Sequence, residues 1–367
     1  MYDKISDRKI IIYGAGYVGK ILANYLLYCK QCEVVAFVVS DGHREFLEYT
    51  ISSQLMDKTL PILEVSELPK NLSDYVFLVT AIAGMQEVVD TLVKLGVKQE
   101  NIMSALDKFV DIEDAFCREY CEAYGIALDL HTMQFNDVKI YNVLLDDPIL
   151  HKTFWGTFGD ELMPLIYGDV SLTVDGPYED DETGVTVAEG DFILDVGANL
   201  GLYSCYAANK GCFVYACDPD SRCIRVLEEQ KKLYADKIAI IPYGLSDHVG
   251  EESFYESDDC GISSMCLVRG QTTEKKIQLE TIDHLVEIGK IQHIDYIKAD
   301  IEGAERYMLR GAKNVLKTMA PKLSICTYHY KDDPQVLEEI IMQANPNYVV
   351  THKWRKLYAY VPKEAKV

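Results

Sequence analysis

The chain has 367 residues, of which 49% are hydrophobic, and its 36 Lys+Arg against 58 Asp+Glu give a formal net charge of -22. That length favours two domains, and the acid excess argues against nucleic acid or an anionic membrane surface as a partner. No run of about 18 apolar residues marks a membrane span, the polar start MYDKISDRK is no signal peptide, and eleven scattered cysteines without an export signal read as cytosolic thiols in a cytoplasmic protein.

The first predicted strand is KIIIY (9–13), followed by the turn Gly14-Ala-Gly16-Tyr-Val-Gly19 and the helical run KILANYLLYC. A second strand, EVVAFVVSD, ends at Asp41, roughly twenty residues beyond the last glycine, which is where a Rossmann fold puts a ribose-binding acid. Gly14, Gly16, Gly19 and Asp41 are therefore candidates for a nucleotide site. Cys29 and Cys32 have C-x-x-C spacing but no second pair, so packing is the expected role. LPILEVSELP, a strand over 74–81 and a helix over 85–95 complete a unit of alternating strands and helices.

From 106 to about 170 the pattern turns helical, with amphipathic runs over 111–125 and 146–168. Phe154, Trp155 and Phe158 cluster on the second run and are expected to form core or a docking face rather than a ligand shelf. The acidic loop around Asp175-Gly-Pro-Tyr178-Glu179 leads into the next strand.

That strand opens FILDVGANLGLYSCYAANKG (192–211), the stretch richest in chemical meaning. Asp195 stands near its carboxyl end, and Gly197-Ala198-Asn199-Leu200-Gly201 lead into a helix whose free N–H groups face the turn. A carboxylate there repels a phosphate and suits an amine or a ribose hydroxyl, which points to S-adenosylmethionine (SAM) rather than a dinucleotide. CFVYACDPD ends at Asp218, placed to accept ribose hydroxyls beside the turn. A hairpin around ESFYES, the GISSM segment and QLETIDHL follow. HIDYIKAD then ends in Asp300-Ile-Glu302-Gly-Ala-Glu305, three acids crowded at one strand end, and PKLSICTYHY ends at Tyr328-His329. Asp300, Glu302 and His329 are the candidate catalytic residues, because such crowding is unfavourable unless a ligand or a counter-charge answers it.

DFILDVGANLG, YACDPD, GISSM, QLETIDHL, DYIKADIEGAE and the Tyr-His pair, in this order, resemble the FkbM family of SAM-dependent methyltransferases over roughly 175–360. The resemblance implies a class I methyltransferase fold that moves a methyl group from SAM to a hydroxyl of a sugar, glycan precursor or related small molecule. Carried onto this chain, Asp195, Gly197, Ala198, Asn199 and Gly201 would hold the methionine part and Asp218 the ribose. Asp300, Glu302 and Glu305 would lie at the reaction edge. Asp218 departs from the glutamate of many relatives. YGAGYVG, AFVVSD and LPILEVSELP resemble the nucleotide-sugar-binding domain at the front of bacterial sugar acyltransferases.

The expected fold is α/β: two Rossmann-like doubly wound domains joined by a helical region, with boundaries 1–105, 106–170 and 171–367. The proton is expected to go to Asp300 or His329, with Glu302 orienting the acceptor and no metal assigned; a divalent ion on Asp300 and Glu302 is the second arrangement. Two other functions stay open, an NAD-dependent oxidoreductase or epimerase and a non-catalytic nucleotide-sugar-binding protein. A homo-oligomer is left open.

Overall fold

The computed structural model describes residues 5, 7–44, 47–51, 55–56, 58–80, 84–104, 106, 109–128, 131–145, 148–234, 236–257, 259–268 and 272–362. Residues 81 and 146–147, which close one predicted strand and open one predicted helix, fall outside these. Two compact units divide the chain: Met1–Ala127 with Asp169–Leu172, and Leu128–Gly168 with Thr173–Val367. Residues 106–170 are thus shared between the units.

In the first unit β1 (Lys9–Tyr13), β2 (Glu33–Val39), β3 (Glu48–Thr50), β4 (Thr59–Glu64), β5 (Tyr75–Val79) and β6 (Ile102–Ser104) form one sheet in the order β3-β4-β2-β1-β5-β6. All pairs are parallel except β3 with β4. Ile10, Ile11 and Ile12 of the central β1 are buried, as expected of a parallel strand covered on both faces. The helices are α1 (Tyr17–Asn24), α2 (Met85–Lys94) and α3 (Phe109–Ala123).

Short strands β7 (Ala127–Leu128), β8 (Thr132–Phe135) and β9 (Val138–Tyr141) follow, with β8 and β9 antiparallel. Then come α4 (Pro148–Thr157), a π-helical turn (Phe158–Leu162) and α5 (Met163–Tyr167). Phe154, Trp155 and Phe158 are buried against one another with ring centroids 4.9, 5.6 and 6.1 Å apart, so this aromatic cluster is core.

The main sheet of the second unit uses β10 (Phe192–Val196), β11 (Phe213–Cys217), β12 (Ile238–Ile241), β16 (Tyr296–Ala299), β17 (Lys322–Cys326), β18 (Val349–Lys353) and β19 (Lys356–Tyr360). Their order is β12-β11-β10-β16-β17-β19-β18, and β19 alone runs antiparallel to its neighbours. A smaller sheet, β13 (Gly244–Leu245), β14 (Gly250–Ser257) and β15 (Thr272–Glu280), contains the predicted hairpin. The helices of this unit are α6 (Leu202–Asn209), α7 (Ser221–Leu233), α8 (Ile282–Glu287), α9 (Glu305–Arg310), α10 (Lys313–Thr318) and α11 (Asp333–Ala344). Leu194, Val196, Ile297, Ala299, Leu323 and Ile325 anchor a continuous core under the sheet. The parallel run brings the carboxyl ends of β11, β10, β16 and β17 side by side, the edge on which open α/β sheets bind ligands.

Candidate active site

The turn after β10 is shaped by close backbone packing. Gly197 has φ +72°, and a Cβ there would stand 2.0 Å from the carbonyl oxygen of Asp300; Gly201 has φ +76°, with its Cβ position 2.7 Å from Leu227 Cδ2. At Gly197, where the obstacle is backbone, only glycine satisfies both the left-handed conformation and the space. Asn199, at φ +50°, is one of the few residue types that tolerate this region. The N–H groups of Gly197 and Ala198 donate to Cys217 O at 2.9 and 3.0 Å, folding the turn against β11.

Asp218 is seated beside that turn. Its Oδ2 accepts from Asn199 N at 2.9 Å and its Oδ1 from Asp220 N at 2.8 Å, and the residue is 7% exposed. Burial pushes its carboxyl up to about 7, against the opposing pull of the Asp220 N–H. A buried acid held by backbone donors, with no ion pair among the described residues, has acceptor capacity to spare. That fits a pair of ribose hydroxyls.

Asp195 lies behind the turn, fully buried, and its oxygens are engaged. Ser204 Oγ donates to Oδ2 at 2.6 Å and Lys298 Nζ stands 3.1 Å from Oδ1. The same ammonium lies 3.2 Å from Glu161 Oε1 and donates to Gly197 O at 2.8 Å. Glu161 Oε2 in turn accepts from Tyr203 N, in the first turn of α6. Burial pulls the Lys298 ammonium down, but the Asp195 and Glu161 charges outweigh it and hold the proton firmly. Burial pushes Glu161 up to about 7 despite that cation. Asp195 is therefore an internal ion partner that braces the turn from beneath, where the sequence reading expected it to face a ligand's ammonium.

The reaction edge forms after β16 and β17. Asp300 Oδ2 accepts from Tyr178 OH at 2.8 Å and Oδ1 from Tyr328 OH at 3.1 Å, and its side chain is 22% exposed. Glu302 adopts φ +54°, a left-handed conformation that costs a non-glycine residue about 1 kcal/mol or more. Glu305 helps to fix it: its carboxylate accepts from Ile301 N at 2.8 Å and Gly303 N at 3.1 Å. Ser264 Oγ, from GISSM, donates to Glu302 O at 2.7 Å, tying that segment to this loop.

His329 completes the edge. Its Nε2 is 3.7 Å from Asp300 Oδ1 and 3.5 Å from Glu302 Oε2, and its Nδ1 is 3.2 Å from Glu305 Oε1. Burial would lower its proton affinity, but the facing carboxylates of Glu302 and Glu305 raise it to about 11. For Asp300 the balance is the reverse: burial pushes upward, and the His329 and Lys298 charges pull the carboxyl below its ordinary range.

Asp300, Glu302, Glu305 and His329 thus come together, as do Gly197, Ala198, Asn199, Gly201 and Asp218. Three contributors were missed: Glu161, Lys298 and Tyr178. Lys298 carried a usable signal, a charge at the centre of the apolar run YIKA (296–299); the other two carried none. In the first unit Gly14 (φ +113°) packs its Cα against Thr80, and a Cβ on Gly19 would stand 2.0 Å from Gly14 O. Asp41 is exposed, with Oδ1 accepting from Ser66 N at 2.9 Å. No helix among the described residues is long and apolar enough to cross a membrane.

Comparison with known proteins bears on the second unit. Residues 195–350 match the Methyltransferase FkbM domain. Over 165 residues the chain is 28% identical to the hexuronic acid methyltransferase AglP of Haloferax volcanii, covering 44% of this chain and 66% of that protein. Over 85 residues it is 37% identical to the AMB antimetabolite synthetase AmbE of Pseudomonas aeruginosa, covering 23% of this chain and 4% of that protein. The chain therefore spans just under two thirds of the first relative and a small piece of the second. The solved structure of an FkbM methyltransferase from Methylobacillus flagellatus aligns over 98% of this chain and 92% of that one, with 18% identity and a TM-score of 0.41. Neither the oxidoreductase nor the nucleotide-sugar-sensor reading is favoured by these likenesses. The likeness to the FkbM methyltransferase domain is carried by residues 195–350, all within the second unit.

Proposed function

We propose that the chain is a SAM-dependent O-methyltransferase whose acceptor is a hydroxyl of a sugar or glycan precursor. The observation that carries the reading is the meeting of Asp300, Glu302 and His329 at one strand edge inside the matched domain. The likeness to a hexuronic acid methyltransferase supports a sugar acceptor.

In this reading SAM, when bound, supplies an electrophilic methyl group on sulfur. The Gly197–Gly201 turn lies against its amino-acid part, and Asp218 accepts its ribose hydroxyls. Much of the rate comes from holding the acceptor oxygen in line with the methyl carbon. Asp300 takes the hydroxyl proton as the new bond forms, because it is ionised and partly exposed. His329 holds its own proton, so it orients the carboxylates and the acceptor instead of acting as the base. Tyr178 and Tyr328 fix the Asp300 carboxylate through their hydroxyls.

The test is transfer of labelled methyl from SAM to uronic-acid and neutral-sugar acceptors by the full chain. Asp300→Asn is expected to lower kcat by about 10²–10⁴-fold while SAM binding, read by calorimetry, stays near wild type. Full turnover in that variant refutes the assignment.

A second site is proposed in the first unit, with both units Rossmann-like. Position 16 is open, since a Cβ there would meet nothing within 4 Å, and α1 starts beyond it without a side-chain cap. A nucleotide or nucleotide-sugar diphosphate is the ligand such a start suits.

A further inference from the structure

We propose that the reaction edge binds a divalent cation of the manganese–zinc class through Asp300, Glu305 and His329. One ligand atom from each of the three lies within 4.8 Å of the others, and the residues come from two adjacent strand ends. Four observations bear on this.

The His329 side chain is 0% exposed, yet neither ring nitrogen finds a hydrogen-bond partner among the described residues. A buried imidazole left in that state is unfavourable; it is aimed at the carboxylates, and because only the neutral ring can be a ligand, the ion would take the place of the proton that His329 otherwise holds. The nitrogen–oxygen separations of 3.2, 3.5 and 3.7 Å are mostly too long for good N–H···O bonds. They are close to the spacing of neighbouring ligands on one ion, about 3.0 Å for octahedral and 3.4 Å for tetrahedral geometry at a bond length near 2.1 Å.

The donor set is the third observation. Each Glu305 oxygen accepts one backbone N–H and retains a second lone pair. One imidazole with two carboxylates suits manganese or zinc better than calcium, which prefers oxygen throughout. Finally, Asp300, Glu302 and Glu305 meet around His329, and of the nearby lysines Lys298 is already paired with Asp195 and Glu161, so even with Lys356 close by the acids are in excess and the local charge balance favours a dication over another anion. Three protein ligands leave coordination positions for two oxygens of the acceptor, and the ion would both orient them and make the hydroxyl easier to deprotonate.

The role in methyl transfer rests on the proposed function, but binding does not, and the experiment separates the two. The full chain is stripped with EDTA, dialysed and titrated with Mn²⁺, reading free Mn²⁺ by electron paramagnetic resonance, with SAM binding measured in parallel by calorimetry. One Mn²⁺ per chain is expected, displaceable by Zn²⁺. Glu305→Gln and His329→Gln should each weaken it about 100-fold, since a ligand costs more than an outer partner, with SAM binding retained. Absence of saturable Mn²⁺ binding, or unchanged affinity in both variants, overturns the proposal even if SAM binds. Mn²⁺ binding without SAM binding overturns the methyltransferase reading instead. Should either variant unfold, Tb³⁺ emission sensitised by the Tyr328 ring, whose centroid is 4.1 Å from that of His329, decides: Mn²⁺-displaceable emission in the wild type supports the site, and its absence refutes it.

Discussion

The chain contains two glycine turns of similar grammar, and they align strand for strand. In both, the first glycine donates its N–H to the neighbouring strand, Gly14 to Val38 O and Gly197 to Cys217 O, each at 2.9 Å. Both first glycines are also pressed against the residue that leaves the strand on the other side, Thr80 for Gly14 and Asp300 for Gly197. The spacing of glycines therefore reports how three adjacent strands pack and says little about a ligand. The difference lies one layer below. Two positions before the glycine the first unit pairs Ile12 with Leu78, both fully buried; the second pairs Asp195 with Lys298, equally buried. A buried ion pair is weak evidence for stability, so its presence at the matching position points to a role at the turn it braces.

The largest expected effect comes from breaking that contrast. Lys298→Met strands Asp195 and Glu161 as buried acids and should destabilise the second unit by about 3–5 kcal/mol in urea unfolding. Converting the second unit to the apolar arrangement of the first, with Asp195→Ile, Lys298→Leu and Glu161→Gln together, should recover most of that loss yet leave SAM binding impaired. Recovery of both stability and SAM affinity would show the ion pair to be dispensable to the turn.

Next come the glycines. A Cβ on Gly197 or Gly19 would stand 2.0 Å from a carbonyl oxygen, an overpacking worth about 1–3 kcal/mol. Gly197→Ala adds roughly 1 kcal/mol for its positive φ. Both variants should lower stability, but only Gly197→Ala should abolish SAM binding. Loss of SAM binding in Gly19→Ala would mean that the wrong turn has been given the cofactor.

The contrast also explains what was legible beforehand. Strand cores such as KIIIY and FILDV declare themselves by mainly apolar runs that lead into glycine. The neighbourhood of Asp300 and His329 followed from parallel strands presenting their carboxyl ends on one edge. The facing of Asp195 did not follow, because a strand covered on both sides gives no period from which to tell the ligand side from the buried side. Glu161 was invisible for another reason. It lies in a helical run whose acids look solvent-facing, and its partner Lys298 is far away in the chain. Tyr178 sits in an irregular acidic loop, where pattern carries no information about which hydroxyl turns inward.

A smaller effect separates the two ribose candidates. Asp41 is exposed and tied to Ser66 N, whereas Asp218 is buried and tied to Asn199 N, within its turn. Because burial raises Asp218 to about 7, the unfolded chain ionises it first, and its contribution to stability declines as pH rises from the ordinary carboxyl range through about 7. Ligand binding should run the other way, since ribose hydroxyls donate to the ionised form. SAM affinity is expected to rise about tenfold between roughly pH 6 and pH 8. Glu161 titrates in the same window but faces Lys298, so Asp218→Asn isolates the effect: its profile should be flat. An unchanged slope in that variant assigns the titration elsewhere.

The smallest effect tests whether the first turn has a ligand at all. Gly16 has φ -77° and ψ -172°, extended backbone open to any residue, and a Cβ there meets nothing. Neither conformation nor packing requires glycine, so the fold alone predicts that Gly16→Ala shifts stability by only about 0.5 kcal/mol, the ordinary cost of alanine at a helix N-cap. A ligand lying over the start of α1 would need that space, because a pyrophosphate approaches the backbone closely at such turns. Calorimetry with UDP-sugars should therefore show binding to the wild-type chain and a clear loss in Gly16→Ala at nearly unchanged melting temperature. If UDP-sugars bind both proteins alike, or neither, the turn at Gly14–Gly19 packs a sheet and nothing more.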